Sequence, residues 1–234
     1  LSDLTHGATW AAQNGAGSVS VSYSGVESSS VGTTGTTLKN SYDCLMVWAA
    51  GNSSYSLSSS TDWSNVIIVS ATDSGNNKAS WSNYGKPIDV AAPGVSVLTT
   101  SNGGGTQSVS GTSFSAPITN GVIGLIRSYN IALSAQEAED VLFGAAQNLG
   151  NSNYFGHGLV DVEQSLIDGG GGSVYDLVLI VGPLTAGSTG TAAVTGSSLG
   201  NAVQLFNGSG LGSSTIPGLG VDLDIDNARK VAQG

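Results

Sequence analysis

Short apolar runs alternate with longer stretches of helical spacing over the first 168 residues. The runs CLMVWAA and NVIIVSA, residues 44–50 and 65–71, are almost wholly apolar, as is typical of parallel strands covered by helices on both faces. Two further strands are predicted for SVSVSYSG and PIDVAAPG, residues 18–25 and 87–94. The pattern predicts an α/β fold with a mainly parallel sheet.

Three stretches carry the spacing of helices. HGATWAAQNGA, residues 6–16, predicts a short helix that ends at glycine. LSAQEAEDVLFGAAQ, residues 133–147, begins with a capping box from Ser134 to Glu137 and predicts an amphipathic surface helix. SAPITNGVIGLIRSYN, residues 115–130, is apolar on nearly every side, which predicts a helix inside the core.

The run DGGGG at residues 168–172 is the clearest boundary in the sequence. Beyond it, strands separated by Gly and Ser turns are predicted for VYDLVLIVG, GTAAVTGS, NAVQLFNG and GVDLDID. We therefore expect a main domain over residues 1–168, a glycine linker over residues 169–172, and a small β-rich, sandwich-like appendage over residues 173–234.

The composition narrows the classes of function. Only 9% of the 234 residues are charged, and 16 acidic against 6 basic residues give a net charge of −10. Because no basic surface is available to neutralise phosphates, nucleic-acid binding is not expected. No apolar run is long enough to span a membrane. A surface of small uncharged polar residues is typical of secreted bacterial proteins, so we expect a secreted or cell-surface protein.

The single cysteine, Cys44, lies in the apolar run at residues 44–50 and cannot form a disulfide within the chain. A buried free cysteine behaves as a small hydrophobic residue. We therefore predict a structural thiol and not a catalytic one.

The stretch VSGTSFSAP, residues 109–117, places Ser113 after a glycine and at the start of a helix. A serine hydroxyl attacks a carbonyl only when a base takes its proton and hydrogen-bond donors stabilise the oxyanion. The electropositive helix N-terminus would help to hold that anion. Ser113 is therefore a candidate nucleophile, and the alternative is a serine that only caps the helix.

Two predicted strand ends offer the remaining parts of a site. Asn52 follows Ala49, Ala50 and Gly51 at the end of the second strand, where its amide is placed to donate to an oxyanion. The alternative for Asn52 is an ordinary turn residue. The segment SYSG, residues 22–25, ends the first strand with small residues and leaves an edge along which an extended peptide can pair.

These pieces, in this order, resemble the subtilisin-like serine peptidases. GTSFSAP is similar to the nucleophile motif of that family, AAGN to its oxyanion-asparagine motif, and SYSG to the strand that lines its substrate cleft. Two further matches are ASWSNYGKPIDVAAPGVSV and YFGHGLVDVEQSL, residues 79–97 and 154–166. The resemblance covers residues 1–166 and corresponds to the C-terminal part of the catalytic domain.

The resemblance implies specific roles. Ser113 would be the nucleophile and Asn52 the oxyanion donor of a serine endopeptidase that acts through an acyl-enzyme. The two walls of a peptide-binding cleft would be formed by Ser22, Tyr23, Ser24 and Gly25 on one side and by Ala49, Ala50 and Gly51 on the other.

The catalytic aspartate and histidine motifs of that family, which precede the cleft strand, are not found upstream of Ser113. His6 echoes the histidine motif but lies in the helix directly before the cleft strand, much too close to Ser22 in the chain. Asp3 lies too near His6 to orient it, and His157 is expected to be solvent-exposed. We expect the sequence to begin after these two motifs, with Asp and His supplied by an upstream segment or a separate chain. We also expect apolar faces of the sheet to be exposed around residues 44–50 and 65–71.

Structural calcium is common in the resembled family, but the sequence assigns no calcium loop and no other cofactor. The alternation DLDID places Asp222, Asp224 and Asp226 at every second residue, without the glycine and the distal glutamate of an EF-hand loop. A strand with one solvent-exposed face describes this stretch better.

Two classes of function remain open. The first is a secreted serine endopeptidase whose isolated chain is catalytically incomplete. The alternative is a non-catalytic surface or peptide-binding protein that keeps the peptidase scaffold without the triad.

Overall fold

The computed structural model describes residues 1–170 and, beyond them, the backbone of two short strands. The helices are α1 (Ser2–Gln13), α2 (Ser29–Tyr42), α3 (Thr112–Tyr129), α4 (Ala135–Ala145), α5 (Ser152–Phe155) and α6 (Val162–Asp168). The strands are β1 (Ser18–Val21), β2 (Leu45–Ala49), β3 (Ile67–Thr72), β4 (Val90–Pro93), β5 (Val97–Thr100), β6 (Thr106–Val109), β7 (Ser214–Thr215) and β8 (Asp222–Leu223).

Strands β1 to β4 form one parallel sheet in chain order, and β5 pairs with β6 as a separate antiparallel hairpin. Every residue of β2 and β3 is buried, because alternate side chains enter two different cores. On one face, Met46 and Trp48 pack with residues of α1 and α2. On the other face, Val47 and Val69 pack with residues of α3 and α4. The predicted parallel sheet with helices on both faces is confirmed.

The expected exposure of apolar sheet faces is wrong for residues 1–170. All residues of the stretch 44–50 are buried, with exposed fractions of 2% or less. Both faces of the sheet are covered by the helices of the same domain. Within the described residues, β1 is an edge strand of the sheet and pairs with β2 alone.

Helix α3 begins three residues earlier than the apolar pattern indicates, and only one of its faces is buried. Val122, Ile123 and Ile126 are nearly inaccessible, whereas Leu125 is 47% exposed. The prediction of a helix surrounded by core is therefore wrong, since α3 lies on the sheet. The capping box of α4 is confirmed, and α4 is amphipathic as predicted.

The strands predicted after residue 173 lie outside the described residues, apart from the short pair β7 and β8. These two strands pair antiparallel, with Ser214 opposite Leu223. The chain divides into two compact units, residues 1–171 and 172–234.

Candidate active site

Ser113 is the second residue of α3, and it is half-buried. Its turn lies against the end of β1, where the Ser22 hydroxyl donates to the Ser113 carbonyl oxygen at 2.7 Å. The Ser113 hydroxyl in turn lies 3.5 Å from the carbonyl oxygen of Ser22. That distance is the long limit of a hydrogen bond, so the Ser113 Oγ is only weakly held.

Asn52 is oriented by the residue that precedes the candidate nucleophile. Its side-chain oxygen accepts hydrogen bonds from the backbone N–H and the hydroxyl of Thr112, each at 2.9 Å. The Thr112 hydroxyl also accepts from the backbone N–H of Gly51 at 3.1 Å. With the amide oxygen committed, the Nδ2 group of Asn52 has no protein acceptor among residues 1–170. It lies 3.4 Å from the position that a Cβ on Gly111 would occupy, beside the Ser113 turn.

The site therefore presents two hydrogen-bond donors near one hydroxyl. The first is Asn52 Nδ2, and the second is the backbone N–H of Ser113, which lies in the first turn of α3, where helical N–H groups have no carbonyl partner within the helix. Two such donors beside a serine Oγ can stabilise the oxyanion that forms when the serine attacks a carbonyl.

Asn83 braces the loop that carries Asn52. It is 2% exposed and donates through Nδ2 to the Ala50 carbonyl at 2.9 Å. Its side-chain oxygen accepts from the backbone N–H groups of Ser53 and Tyr55, and its own N–H donates to the Gly51 carbonyl. Sequence reasoning missed this residue, because nothing in the quoted stretch ASWSNYG distinguishes a buried amide from a surface one.

The first predicted wall does not continue the strand. β1 ends at Val21, and Ser22 to Gly25 follow as an exposed irregular segment. Two indole groups hold this segment in place: Trp48 Nε1 donates to the Tyr23 carbonyl, and Trp63 Nε1 donates to the Val26 carbonyl, both at 2.8 Å. The predicted binding residues Ser22, Tyr23, Ser24 and Gly25 are all solvent-accessible.

The second predicted wall is only partly accessible. Ala49 and Ala50 are each 2% exposed, and the N–H and carbonyl groups of Ala50 are bonded to Val69 and Asn83. The surface that this wall offers to a ligand is therefore limited to the half-buried Gly51 and the exposed Asn52. Gly51 adopts a φ of 102°, which favours glycine, and a Cβ there would lie 2.5 Å from Asn83 Nδ2.

Neither histidine lies next to Ser113 within the part of the chain that the structure describes. The Ser113 hydroxyl makes its one hydrogen bond there to Ser22. His6 is exposed on α1, and His157 is exposed and stacks on Phe143 with ring centroids 4.4 Å apart. The prediction of an exposed His157 is confirmed.

Cys44 is fully buried, as predicted. Burial raises the pKa of its thiol to about 11, an effect that the Arg127 charge only partly offsets. A thiol that stays protonated at neutral pH is a poor nucleophile.

The described residues hold no group of three or more His, Cys, Asp or Glu side chains arranged for a metal ion. No helix in the same part of the chain combines the length and the apolarity that a membrane span requires.

Comparison with solved structures supports the fold. A protease structure from Pseudoalteromonas arctica superimposes with a TM-score of 0.64 at 27% identity, covering 72% of this chain and 58% of that one. The prenylagaramide maturation protease PagA gives the same TM-score at 24% identity, covering 72% of this chain and 67% of that one.

Sequence comparison agrees. The chain is 38% identical over 173 residues to subtilisin DY of Bacillus licheniformis, covering 69% of this chain and 61% of that protein. It is 35% identical over 164 residues to M-protease of Shouchella clausii, covering 70% of this chain and 43% of that protein. The chain thus spans less than two thirds of the length of these relatives. The model of the subtilase family, Peptidase S8, matches residues 1–158, and the chain therefore belongs to this family of subtilisin-like serine peptidases.

Proposed function

We propose that this protein is a serine endopeptidase in which Ser113 is the nucleophile and Asn52 the oxyanion donor. The observation that carries the proposal is the orientation of Asn52: Thr112 holds its amide oxygen, so its N–H₂ group is left to donate beside Ser113. The substrate would be a peptide or protein lying along residues 22–25 and Gly51.

In the proposed reaction, the Ser113 Oγ attacks the carbonyl carbon of a peptide bond while a base takes the hydroxyl proton. The developing oxyanion accepts hydrogen bonds from Asn52 Nδ2 and the Ser113 N–H. The base then gives the proton to the leaving amine, and an ester remains on Ser113. Water hydrolyses the ester, with its proton again taken by the base.

The proposed base is a histidine oriented by an aspartate, both supplied by an upstream segment or a separate chain. This assignment is supported by the surroundings of Ser113, where the one hydrogen-bond partner of the hydroxyl within residues 1–170 is a backbone carbonyl. Alone, the present chain would keep the substrate-binding groups and both donors. Such groups without a full triad leave a residual acceleration of about 10³ to 10⁴ over water.

Fluorophosphonate labelling tests the nucleophile, and added imidazole can stand in for the missing base. We expect slow labelling of the chain alone and faster labelling with imidazole, at Ser113 in both cases, located by mass spectrometry. Ser113→Ala should abolish the adduct, whereas Ser108→Ala, at an exposed serine of β6, should leave it. Equal labelling of the Ser113→Ala variant would refute the proposal.

The oxyanion role is tested by imidazole-assisted hydrolysis of a peptide ester. Asn52→Leu should slow this reaction by about 10² to 10³, because it removes one donor to the oxyanion. Asn102→Leu, at an exposed asparagine of the β5–β6 loop, is the matched control and should leave the rate unchanged. A rate unaffected by Asn52→Leu would remove Asn52 from the mechanism.

A second proposal is a peptide-binding protein on the same scaffold, secreted or displayed at the cell surface. It is supported by the surroundings of Ser113 within residues 1–170, where the hydroxyl bonds to the Ser22 carbonyl and to neither His6 nor His157. This protein would bind peptides along residues 22–25 without labelling at Ser113 under any condition, including in the presence of the upstream segment. Labelling that appears once that segment is added would decide for the peptidase.

A further inference from the structure

The Glu27 carboxylate joins two segments of the chain, each of which directly follows one of the predicted cleft walls. It lies two residues after Gly25 and is half-buried. Its Oε2 accepts from the Tyr55 hydroxyl and its Oε1 from the Ser58 backbone N–H, both at 3.0 Å. Tyr55 and Ser58 belong to the loop that follows Asn52, so Glu27 joins the segment after one wall to the segment after the other.

The two walls are also joined at the nucleophile. Ser22 bonds to the Ser113 carbonyl on one side, and Gly51 bonds to Thr112 on the other. The contacts of Ser113 and Thr112 thus join the two walls at Ser22 and Gly51, and the contacts of Glu27 join the segments that follow the walls. In the proposed cleft, a long side chain of the residue whose carbonyl Ser113 attacks would extend between the walls toward the Glu27 carboxylate.

Glu27 has acceptor capacity left for a ligand. An ionised carboxylate offers about four lone-pair sites. Two are used by Tyr55 and Ser58, and neither of these donors carries a positive charge. The Tyr55 pKa is raised, first by burial and then by its hydrogen bond to Glu27, so the phenol remains a donor to the carboxylate.

The four Lys and Arg side chains of residues 1–170 are all engaged elsewhere. Three of them form ion pairs, Lys39 with Glu139, Lys86 with Asp62, and Arg127 with Asp43. The fourth, Lys78, donates to the Ala79 and Ser82 carbonyls and lies over the rings of Tyr84 and Tyr154. Within this part of the chain, Glu27 is thus a partly desolvated carboxylate without a cation. A cation from a ligand would compensate that charge.

From this placement we infer that Glu27 selects substrates with Lys or Arg at the residue whose carbonyl Ser113 attacks. The inference rests on the proposed cleft and adds a substrate class to it. The guanidinium or ammonium group would occupy the free lone pairs of Glu27, with the aliphatic part of the side chain lying between the two walls. The net charge of −10 favours the approach of basic peptides as well.

The test measures binding and not turnover, so it does not depend on a catalytic base. Acetylated tetrapeptide acids that differ only in their last residue, Arg, Met or Glu, are titrated into the full chain by calorimetry. We expect the Arg peptide to bind about tenfold more tightly than the Met peptide, and the Glu peptide to bind most weakly.

Three variants locate the origin of that preference. Glu27→Gln keeps the shape and both hydrogen bonds, since its amide can accept from Ser58 and donate to Tyr55, and should bring the Arg peptide to the level of the Met peptide. Glu27→Lys should reverse the order in favour of the Glu peptide. Glu163→Gln, at an exposed acid of α6, removes the same charge elsewhere and should keep the preference. Circular dichroism verifies that each variant is folded.

Equal binding of the three peptides, or an Arg preference that survives Glu27→Gln, overturns the inference and leaves the proposed peptidase standing. An Arg preference lost equally in Glu163→Gln overturns it too, because overall charge would then explain the selectivity. Selective binding that depends on Glu27, without labelling of Ser113 under any condition, supports the inference while the proposed catalysis fails. Absence of binding by every peptide counts against the cleft and the inference together.

Discussion

The two ends of the parallel sheet are built from different chemistry. At the first end, where the strands begin, three ion pairs hold helices and loops together. Arg127 of α3, for example, donates to the Gly17 and Asp43 carbonyls and pairs with the Asp43 carboxylate. At the second end, where the strands stop, amides, hydroxyls and backbone groups make the hydrogen bonds around Ser113 and Asn52.

The charged pairs that stabilise the fold and the residues of the candidate site therefore lie at opposite ends of the sheet. Neutral donors such as Thr112 and Asn83 can fix the position of Asn52 without placing a charge beside an oxyanion. Charges packed at the opposite end stabilise helix positions without changing the electrostatics of the site. It follows that substitutions at the first end should alter stability alone, and substitutions at the second end should alter ligand binding or reactivity.

The largest expected effect is at the buried ion pair of the first end. The Lys39 and Glu139 side chains are each 7% exposed, and Gln136 also donates to the Glu139 carboxylate. Lys39→Met leaves that carboxylate buried without its cation, which should lower the free energy of unfolding by about 3 to 5 kcal/mol. Urea denaturation measures the loss.

The matched controls are the double variant and an exposed pair. Lys39→Met combined with Glu139→Leu removes both charges and should recover most of the stability. Lys86→Ala breaks a pair whose lysine is 70% exposed and should change stability by about 1 kcal/mol or less. Peptide binding below the melting temperature should be unchanged in all three variants. A loss of binding in folded protein would contradict the separation of the two ends.

A smaller effect is expected from Gly94, which lies directly beneath the Ser113 turn. Its carbonyl accepts from the Gly111 N–H at 2.8 Å, and a Cβ at this position would lie 2.4 Å from Ser115 Oγ and 2.6 Å from Ala71 Cβ. Gly94→Ala should therefore destabilise the fold by about 1 to 3 kcal/mol through overpacking. Because the displaced atoms support the turn, imidazole-assisted labelling of Ser113 should slow as well.

Gly121→Ala, in the helix that carries Ser113, is the control for Gly94→Ala. Gly121 is exposed on α3, and a Cβ there would meet nothing within 4 Å. Alanine favours the helix at such a position by about 1 kcal/mol, so this variant should be slightly stabilised with unchanged labelling. A Gly94→Ala variant as stable and as reactive as Gly121→Ala would show that the turn tolerates the added methyl group.

The sequence predicted the elements whose signals are local. The apolar runs of β2 and β3 and the capping box of α4 depend only on neighbouring residues, and all three are confirmed. Helix α2, SSVGTTGTTLKNSY, was not predicted, because Ser, Thr and Gly are weak helix formers. In the fold, Val31 and Leu38 are fully buried, and Gly35 lets the helix approach Val66 closely. This packing against distant residues compensates for the poor propensity and is not visible in the local sequence.

The candidate site follows the same rule. Ser113 and Asn52 were proposed from motifs at a strand end and a helix start, where residue type and position suffice. The brace by Asn83 and the bridge from Glu27 to Tyr55 join segments about 30 residues apart, and only the folded chain brings them together. Sequence alone therefore predicted candidate reactive groups but not the residues that position them.

The smallest expected effect is a pH dependence at the first end of the sheet. Asp89 precedes β4, and its carboxylate accepts from the Ile68 N–H at 2.7 Å. Burial raises the pKa of this carboxyl well above its usual value, and although the Ile68 hydrogen bond opposes that shift, the Glu139 charge adds to it.

A raised pKa means that the folded protein holds the Asp89 proton more tightly than the unfolded chain does. The stabilisation is complete below the unfolded pKa of about 4 and is lost as the pH rises through the folded pKa. Asp89→Asn keeps an acceptor for Ile68 and cannot ionise, so its melting temperature should exceed that of the parent at pH 8, with the difference shrinking toward pH 4. Asp3→Asn, which removes an exposed carboxyl of α1, is the matched control for the loss of one negative charge. A difference at Asp89 that grows as the pH falls would contradict this prediction, because it would mean that the folded protein favours the ionised carboxylate.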